Sequence, residues 1–304
     1  MPQRWLIVGA SRGLGIEFVS QLLLRGDIVI ATVRAPSATA PPQETGDASR
    51  LWSLTGGPNG SNLSILECDL DNESSIRAFR EEVWKLGRMG RVLEKGVIDC
   101  AVINPGRLTC LEQISEITFS AFTYLLHNIV VGPLVTAQHL LSLSSPPNFY
   151  NPGRFIGSIS TALIQIRTLV FLDSDFGLAK YPSILQGGCA AYATCRAALI
   201  QGLKHLAVEK HQKTLREGLK IPIVLVIHPI EVPTAETFLR DNQEERMPSI
   251  ISAQESTRSM LRIIKEKGCG GVDEGGWMTA EKEGKTVQNG EASFWTWEGK
   301  RKWW

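Results

Sequence analysis

The chain has 304 residues, 43% of them hydrophobic and 21% charged, with a formal net charge of +1. It is long enough to bury a large core, and its near-neutral balance gives no electrostatic case for nucleic acid or an anionic membrane as partner. No leader is read before the first strand and no apolar run is read as a bilayer span, while Cys68, Cys100, Cys110, Cys189, Cys195 and Cys269 form no Cys-x2-Cys pair, so a cytoplasmic protein with free thiols and no metal site is expected.

The first predicted element is the apolar strand ending Leu6-Ile7-Val8, which runs directly into Gly9-Ala-Ser11-Arg12-Gly13-Leu14-Gly15. The amphipathic segment from Ile16 to Arg25 then reads as a helix closed by Gly26. Gly9 permits a tight exit from the strand, Gly13 lets a pyrophosphate approach the backbone, and Gly15 lets the helix pack closely on the sheet. Phosphates would sit on N–H groups at the positive end of the helix dipole, with Ser11, Arg12 and Leu14 completing the turn. A second strand, 28–33, ends at Arg34, where an acidic residue would select NAD and an arginine favours the 2′-phosphate of NADP. Arg12 can reach the same phosphate, since a guanidinium donates two parallel bonds to phosphate oxygens.

A polar, Pro-rich loop follows over 35–47, then a short helix near 48–54 and a third strand, 63–67, leading to Cys68-Asp69-Leu70-Asp71. Ser74 is read as the cap of a helix through about Leu86, and a fourth strand covers 97–103. A long helix spans roughly 119–143, a fifth strand 154–159, a helix 190–209, a sixth strand 221–227, a helix around 252–265 and a last strand 292–297. This alternation predicts one α/β domain over 1–304, a Rossmann-type doubly wound parallel sheet in three α/β/α layers. Insertions are expected near 35–61 and 161–189, and a substrate lid near 235–250.

These segments resemble the short-chain dehydrogenase/reductase family over nearly the full length. The glycine turn matches the family's Thr-Gly-x3-Gly-x-Gly with Val8 in place of Thr, and Asp69 matches the acidic residue that holds the adenine amine, with Leu70 beside it. Ile103-Asn104-Pro105-Gly106 resembles the family's Asn-Asn-Ala-Gly, and Asn128 lies in a segment like the one carrying its catalytic Asn. His228-Pro229-Ile230-Glu-Val232-Pro-Thr234 is similar to the family's His-Pro-Gly-x-Val-x-Thr loop, with Ile230 in place of glycine. Gly153 to Ser160 resembles the strand ending in the catalytic serine. Ser158 and Ser160 share a face there, and Ser160 is preferred because it ends the strand, where ligand crevices form. Together with Ala31-Thr-Val-Arg34 and the Trp-rich ending, the resemblance points to the C-factor/sniffer-like branch.

The family usually carries Tyr-x3-Lys, and here Tyr192 is followed by Arg196. Positions i and i+4 of a helix face the same way, so the cation can lower the pKa of a phenol that otherwise titrates near about 10. Arginine supplies the charge and can bond ribose hydroxyls, but with a pKa above about 12 it does not relay protons. The resemblance therefore implies a catalytic group of Tyr192, Ser160, Asn128 and Arg196. The implied NADP(H) site comprises Gly9, Ser11, Arg12, Gly13, Leu14, Gly15, Arg34, Asp69, Leu70, Asn104, Gly106, Tyr192, Arg196, Pro229 and Thr234. His127, His205 and His211 are assigned nothing. Three functions stay open: an NADPH-dependent carbonyl reductase or alcohol dehydrogenase, a related enzyme of non-redox chemistry, and a non-catalytic NADP-responsive binding protein. The Leu- and Ile-rich stretch after Ser160 suits an apolar, even polycyclic, small molecule, and a homodimer or homotetramer is expected.

Overall fold

A computed structural model describes residues 1–34, 48–88, 92–93, 96–104, 113–144, 163–178, 189–217, 222–229, 251–271 and 291–303. Among the described residues seven parallel strands, β1 (Arg4–Val8), β2 (Ile28–Val33), β3 (Leu63–Glu67), β4 (Val97–Ile103), β5 (Gln165–Leu172), β6 (Ile223–His228) and β7 (Ser293–Thr296), lie in the order 3-2-1-4-5-6-7. A short β8 (Arg301–Lys302), not anticipated from the sequence, closes the sheet antiparallel to β7. The central strands are covered on both faces and carry continuous apolar runs, as buried parallel strands do: Leu6–Val8, Ala101–Ile103 and Leu169–Leu172 are all at most 3% exposed.

On one face pack α3 (Glu73–Arg88), α4 (Phe119–Leu126), α5 (Gly132–Ser142) and α6 (Ala190–Glu217), through residues such as Phe79, Leu125, Leu140 and Leu199. On the other lie α1 (Gly13–Leu24), α2 (Ser49–Ser53) and α7 (Ala253–Lys267), through Phe18, Leu22, Leu51 and Met260. The strand order reverses between β1 and β4, so their C-terminal ends open the crevice in which such sheets hold ligands.

Strand five is the main correction to the sequence reading. The stretch 154–159 lies outside the described residues, and the place between β4 and β6 is taken by Gln165–Leu172, inside the segment where the sequence predicts an insertion. A strand with neighbours on both sides and helices on both faces needs an apolar run, and Leu169-Val-Phe171-Leu172 supplies it. The polar Arg167 is spared burial by lying at the start of the strand, 2.9 Å from Asp99.

Smaller differences have local causes. The cap of α3 is Asn72, whose Oδ1 accepts from the N–H groups of Ser74 at 2.9 Å and Ser75 at 3.4 Å, so Ser74 sits inside the first turn rather than capping it. The helix α6 continues past 209 to Glu217. By length and composition alone the run Phe119–Ser142 is apolar enough to cross a membrane, a test that the core helix of a soluble protein also passes. Its inward residues Leu125, Ile129, Ala137 and Leu141 are part of the core. Within that run His127–Val131 forms a π turn, a feature that tends to mark functional positions.

Candidate active site

The glycine turn has the geometry its residues require. Gly9 (φ +83°) and Gly13 (φ +53°) occupy the left-handed region that favours glycine. A Cβ on Gly15 would lie 2.1 Å from the Gly9 carbonyl oxygen, so only glycine lets α1 start this close to β1. The turn is tied to β2: the N–H of Gly9 donates to Thr32 Oγ1 at 3.1 Å and that of Ala10 to the Thr32 carbonyl at 2.9 Å. The N-cap residue of α1, Arg12, makes no side-chain capping bond, and the first turn holds no acidic residue. Its leading amides and dipole therefore suit an anion. Asn104 joins this group, its N–H donating to Val8 at 3.2 Å and its carbonyl oxygen 3.0 Å from where a Gly9 Cβ would be.

Beyond β2 and β3 a polar cluster gathers. Arg34 is exposed at the strand end. Burial and the neighbouring Asp69 raise the Asp71 carboxyl, while a hydrogen bond from Asn128 and the charges of Arg34 and His127 oppose that rise. Asn128 also donates to the Tyr124 carbonyl at 3.1 Å, so its side chain bridges its own helix and the β3 loop. Asp69 Oδ1 accepts from the N–H of Asp71 at 3.2 Å. Helix α5 approaches Leu70 so closely that a Cβ on Gly132 would lie 2.2 Å from the Leu70 oxygen.

The reacting end is built from the exit of β5 and the first turns of α6. After Leu172 come Asp173 and Ser174, then a 3-10 turn, Asp175–Leu178. Gly177 lets this turn rest on α6: a Cβ there would be 2.7 Å from the Ala197 nitrogen. Tyr192 is buried, with Phe176 edge-on to its ring at 6.0 Å and 82°. The Arg196 guanidinium carbon stands 4.8 Å from the Tyr192 ring centre. Arg196 Nη1 lies 3.2 Å from Asp173 Oδ1 and donates to the Leu172 carbonyl at 3.4 Å. Burial raises the Tyr192 phenol above its usual range and Asp173 adds to that, while the Arg196 charge and hydrogen bonds to Arg196 and Ser174 pull it back.

Thus the structure brings Tyr192 and Arg196 together with Ser174, a residue of the segment 161–189 that the sequence predicts to be an insertion. Ser160, Gly106 and Thr234 lie outside the described residues, as does the lid region 235–250. Pro229 sits at the end of β6, its carbonyl accepting from Ser256 Oγ at 2.5 Å. The sequence signal for Ser174 was the apolar run of β5 that ends just before it. No group of three or more potential metal ligands occurs among the described residues.

No family model and no curated protein matches this sequence. Solved structures do match. The carbonyl reductase Sniffer of D. melanogaster superposes with a TM-score of 0.66 at 21% identity, covering 100% of both chains. An NADPH-bound carbonyl reductase from chicken fatty liver gives 0.66 at 19% identity over 100% of this chain and 99% of the other. A carbonyl reductase from Pseudomonas aeruginosa PAO1 gives 0.60 at 18%, over 99% and 100%. The fold is that of the short-chain dehydrogenase/reductases. In this chain Arg196 is a buried partner of Asp173, 4% exposed.

Proposed function

We propose that this chain is an NADPH-dependent oxidoreductase of the short-chain dehydrogenase/reductase family, in the C-factor/sniffer-like branch, reducing a carbonyl or oxidising the corresponding alcohol of an apolar small molecule. One observation carries the reading: Tyr192, Ser174 and Arg196 converge at the C-terminal end of β5, on the same edge of the sheet as the glycine turn. The residues present fit the cofactor. Gly9, Ser11, Gly13, Leu14 and Gly15 would receive the pyrophosphate, Arg12 and Arg34 the 2′-phosphate, Asp69 and Leu70 the adenine, and Asn104 and Pro229 the nicotinamide half. The cofactor, when bound, supplies hydride.

The chain's own contribution is acid–base and electrostatic. Tyr192 holds the proton that a carbonyl oxygen acquires on reduction. The Ser174 hydroxyl, within hydrogen-bonding reach of Tyr192, donates to the same oxygen as negative charge develops there. Asn128 orders the start of the π turn beside α6. The free buried thiols Cys68, Cys100, Cys189 and Cys195 support a reducing, cytoplasmic setting, and exposed apolar side chains on α4 such as Phe119 support a homo-oligomer. A second reading, non-redox chemistry with bound NADP, is favoured by one observation: the cation beside Tyr192 is committed to Asp173 and is no proton relay.

Two measurements test the proposal. Nicotinamide-fluorescence titration should show tighter binding of NADPH than of NADH, and Arg34→Asp should reverse that order by about ten- to a hundredfold, the worth of one charge-assisted phosphate contact. Equal affinity in the unmodified protein would rule out the NADP assignment. On a panel of apolar carbonyls, Ser174→Ala should lower turnover about 10²–10³-fold, as loss of one oxyanion donor does, whereas Ser160→Ala should leave it within a few fold. The opposite ranking would return the serine role to Ser160.

A further inference from the structure

Asp173 was not among the residues singled out from the sequence, yet it is the most enclosed acid at the reacting end. Its side chain is 0% exposed and lies 3.2 Å from the guanidinium of Arg196, itself 5% exposed. Asp173 Oδ1 also accepts from the Ser174 N–H at 2.7 Å, and Oδ2 is buried without a hydrogen-bond partner. The backbone of Asp173 is held from both sides, its N–H donating to the Ile227 carbonyl at 3.0 Å and its carbonyl oxygen 3.4 Å from His228 Nδ1. A guanidinium taken this far from water needs a counter-charge. The same guanidinium stands over the Tyr192 ring at 4.8 Å, where an uncompensated positive charge would favour phenolate over phenol.

We infer that Asp173 is a positioning residue that holds Arg196 against Tyr192 and offsets its charge, reinforcing the protonated phenol, the proton-donating form that carbonyl reduction uses. The inference rests on the reading of Tyr192 as the proton donor and adds a direction to it: a site with a neutral ion pair beside the phenol favours reduction, whereas a lone cation would favour alcohol oxidation by phenolate. Among the described residues, the titratable and charged groups facing this centre are Tyr192, Cys195 and Arg196 from α6, Asp173 from the β5 exit and His228 from β6. Burial pushes the Asp173 carboxyl up to about 6, with Arg196 pulling against it, so the pair is ionised at neutral pH.

The test reads Tyr192 ionisation directly, from phenolate ultraviolet absorbance of the apo-protein during alkaline titration, each variant referenced to its own Tyr192→Phe counterpart. In Asp173→Asn the midpoint should fall by about one pH unit or more, the size expected when a nearby cation loses its counter-charge. The double variant Asp173→Asn, Arg196→Met should bring it back to the wild-type value or above. Should Asp173→Asn fail to fold, Arg196→Met compared with the double variant makes the same measurement, and the lone Asp173 should hold the phenol about one unit higher. Equal midpoints in either comparison would overturn the inference. The titration uses neither cofactor nor turnover, so a shift in a protein that does not oxidise NADPH supports the charge offset and sinks only the reductase reading. Conversely, NADPH turnover with unmoved midpoints sinks the role of Asp173 alone.

Discussion

Tyr192→Phe is expected to abolish most carbonyl reduction, by about 10²–10⁴-fold, the usual contribution of a positioned general acid, while NADPH affinity changes little. The substitution removes only the hydroxyl. The ring keeps its edge-on contact with Phe176 and its place beneath the Arg196 guanidinium, so folding and the glycine turn should be undisturbed. Steady-state turnover with NADPH, beside a fluorescence titration of cofactor binding, separates the two effects. Undiminished turnover would show that Tyr192 is not the acid and would strengthen the non-redox and NADP-binding alternatives.

Arg196→Met should destabilise the fold by about 3–5 kcal/mol, because it removes one partner of a buried ion pair and leaves the other unpaired. The loss should depend on pH in a definite direction. Burial already raises the Asp173 carboxyl to about 6, with the Arg196 charge opposing; without Arg196 it rises further. An acid whose folded pKa lies above its unfolded one contributes stability that is complete below the unfolded pKa and lost as pH climbs through the folded one. Wild type finishes that loss near pH 6, whereas the variant continues to lose stability above it. Urea unfolding on either side of that pH should therefore show the deficit widening toward alkaline pH. A pH-independent deficit would mean that Asp173 is not the group left uncompensated. The same variant should raise the Tyr192 phenol and move any activity optimum to more alkaline pH, since the Arg196 charge acts to lower it.

Much of the molecule was legible from local pattern. Gly9, Gly13 and Gly15 announced a strand-to-helix turn, because positive φ and close backbone approach are demands that the residue type itself reveals. The strands 28–33, 63–67 and 97–103 were read at their observed bounds, since each is a short apolar run with turn signals on both sides. Tyr192 and Arg196 could be placed on one helix face from spacing alone.

What the residues by themselves determined, then, was the alternating α/β architecture, the glycine turn after the first strand and the Tyr192–Arg196 pair. Which segment became the fifth strand was decided only by tertiary structure. The segment 165–172 carries the longer continuous apolar run, but a parallel strand makes its hydrogen bonds to partners distant in the chain, so that run alone does not assign it a place in the sheet. Pairing with β4 and β6 selects Gln165–Leu172, and that choice carries Asp173 and Ser174 to the crevice. The charge state beside Tyr192 is likewise a tertiary property. It depends on a carboxylate 3.2 Å away in space that belongs to a different element of the chain, and on the burial that removes water's screening from both partners.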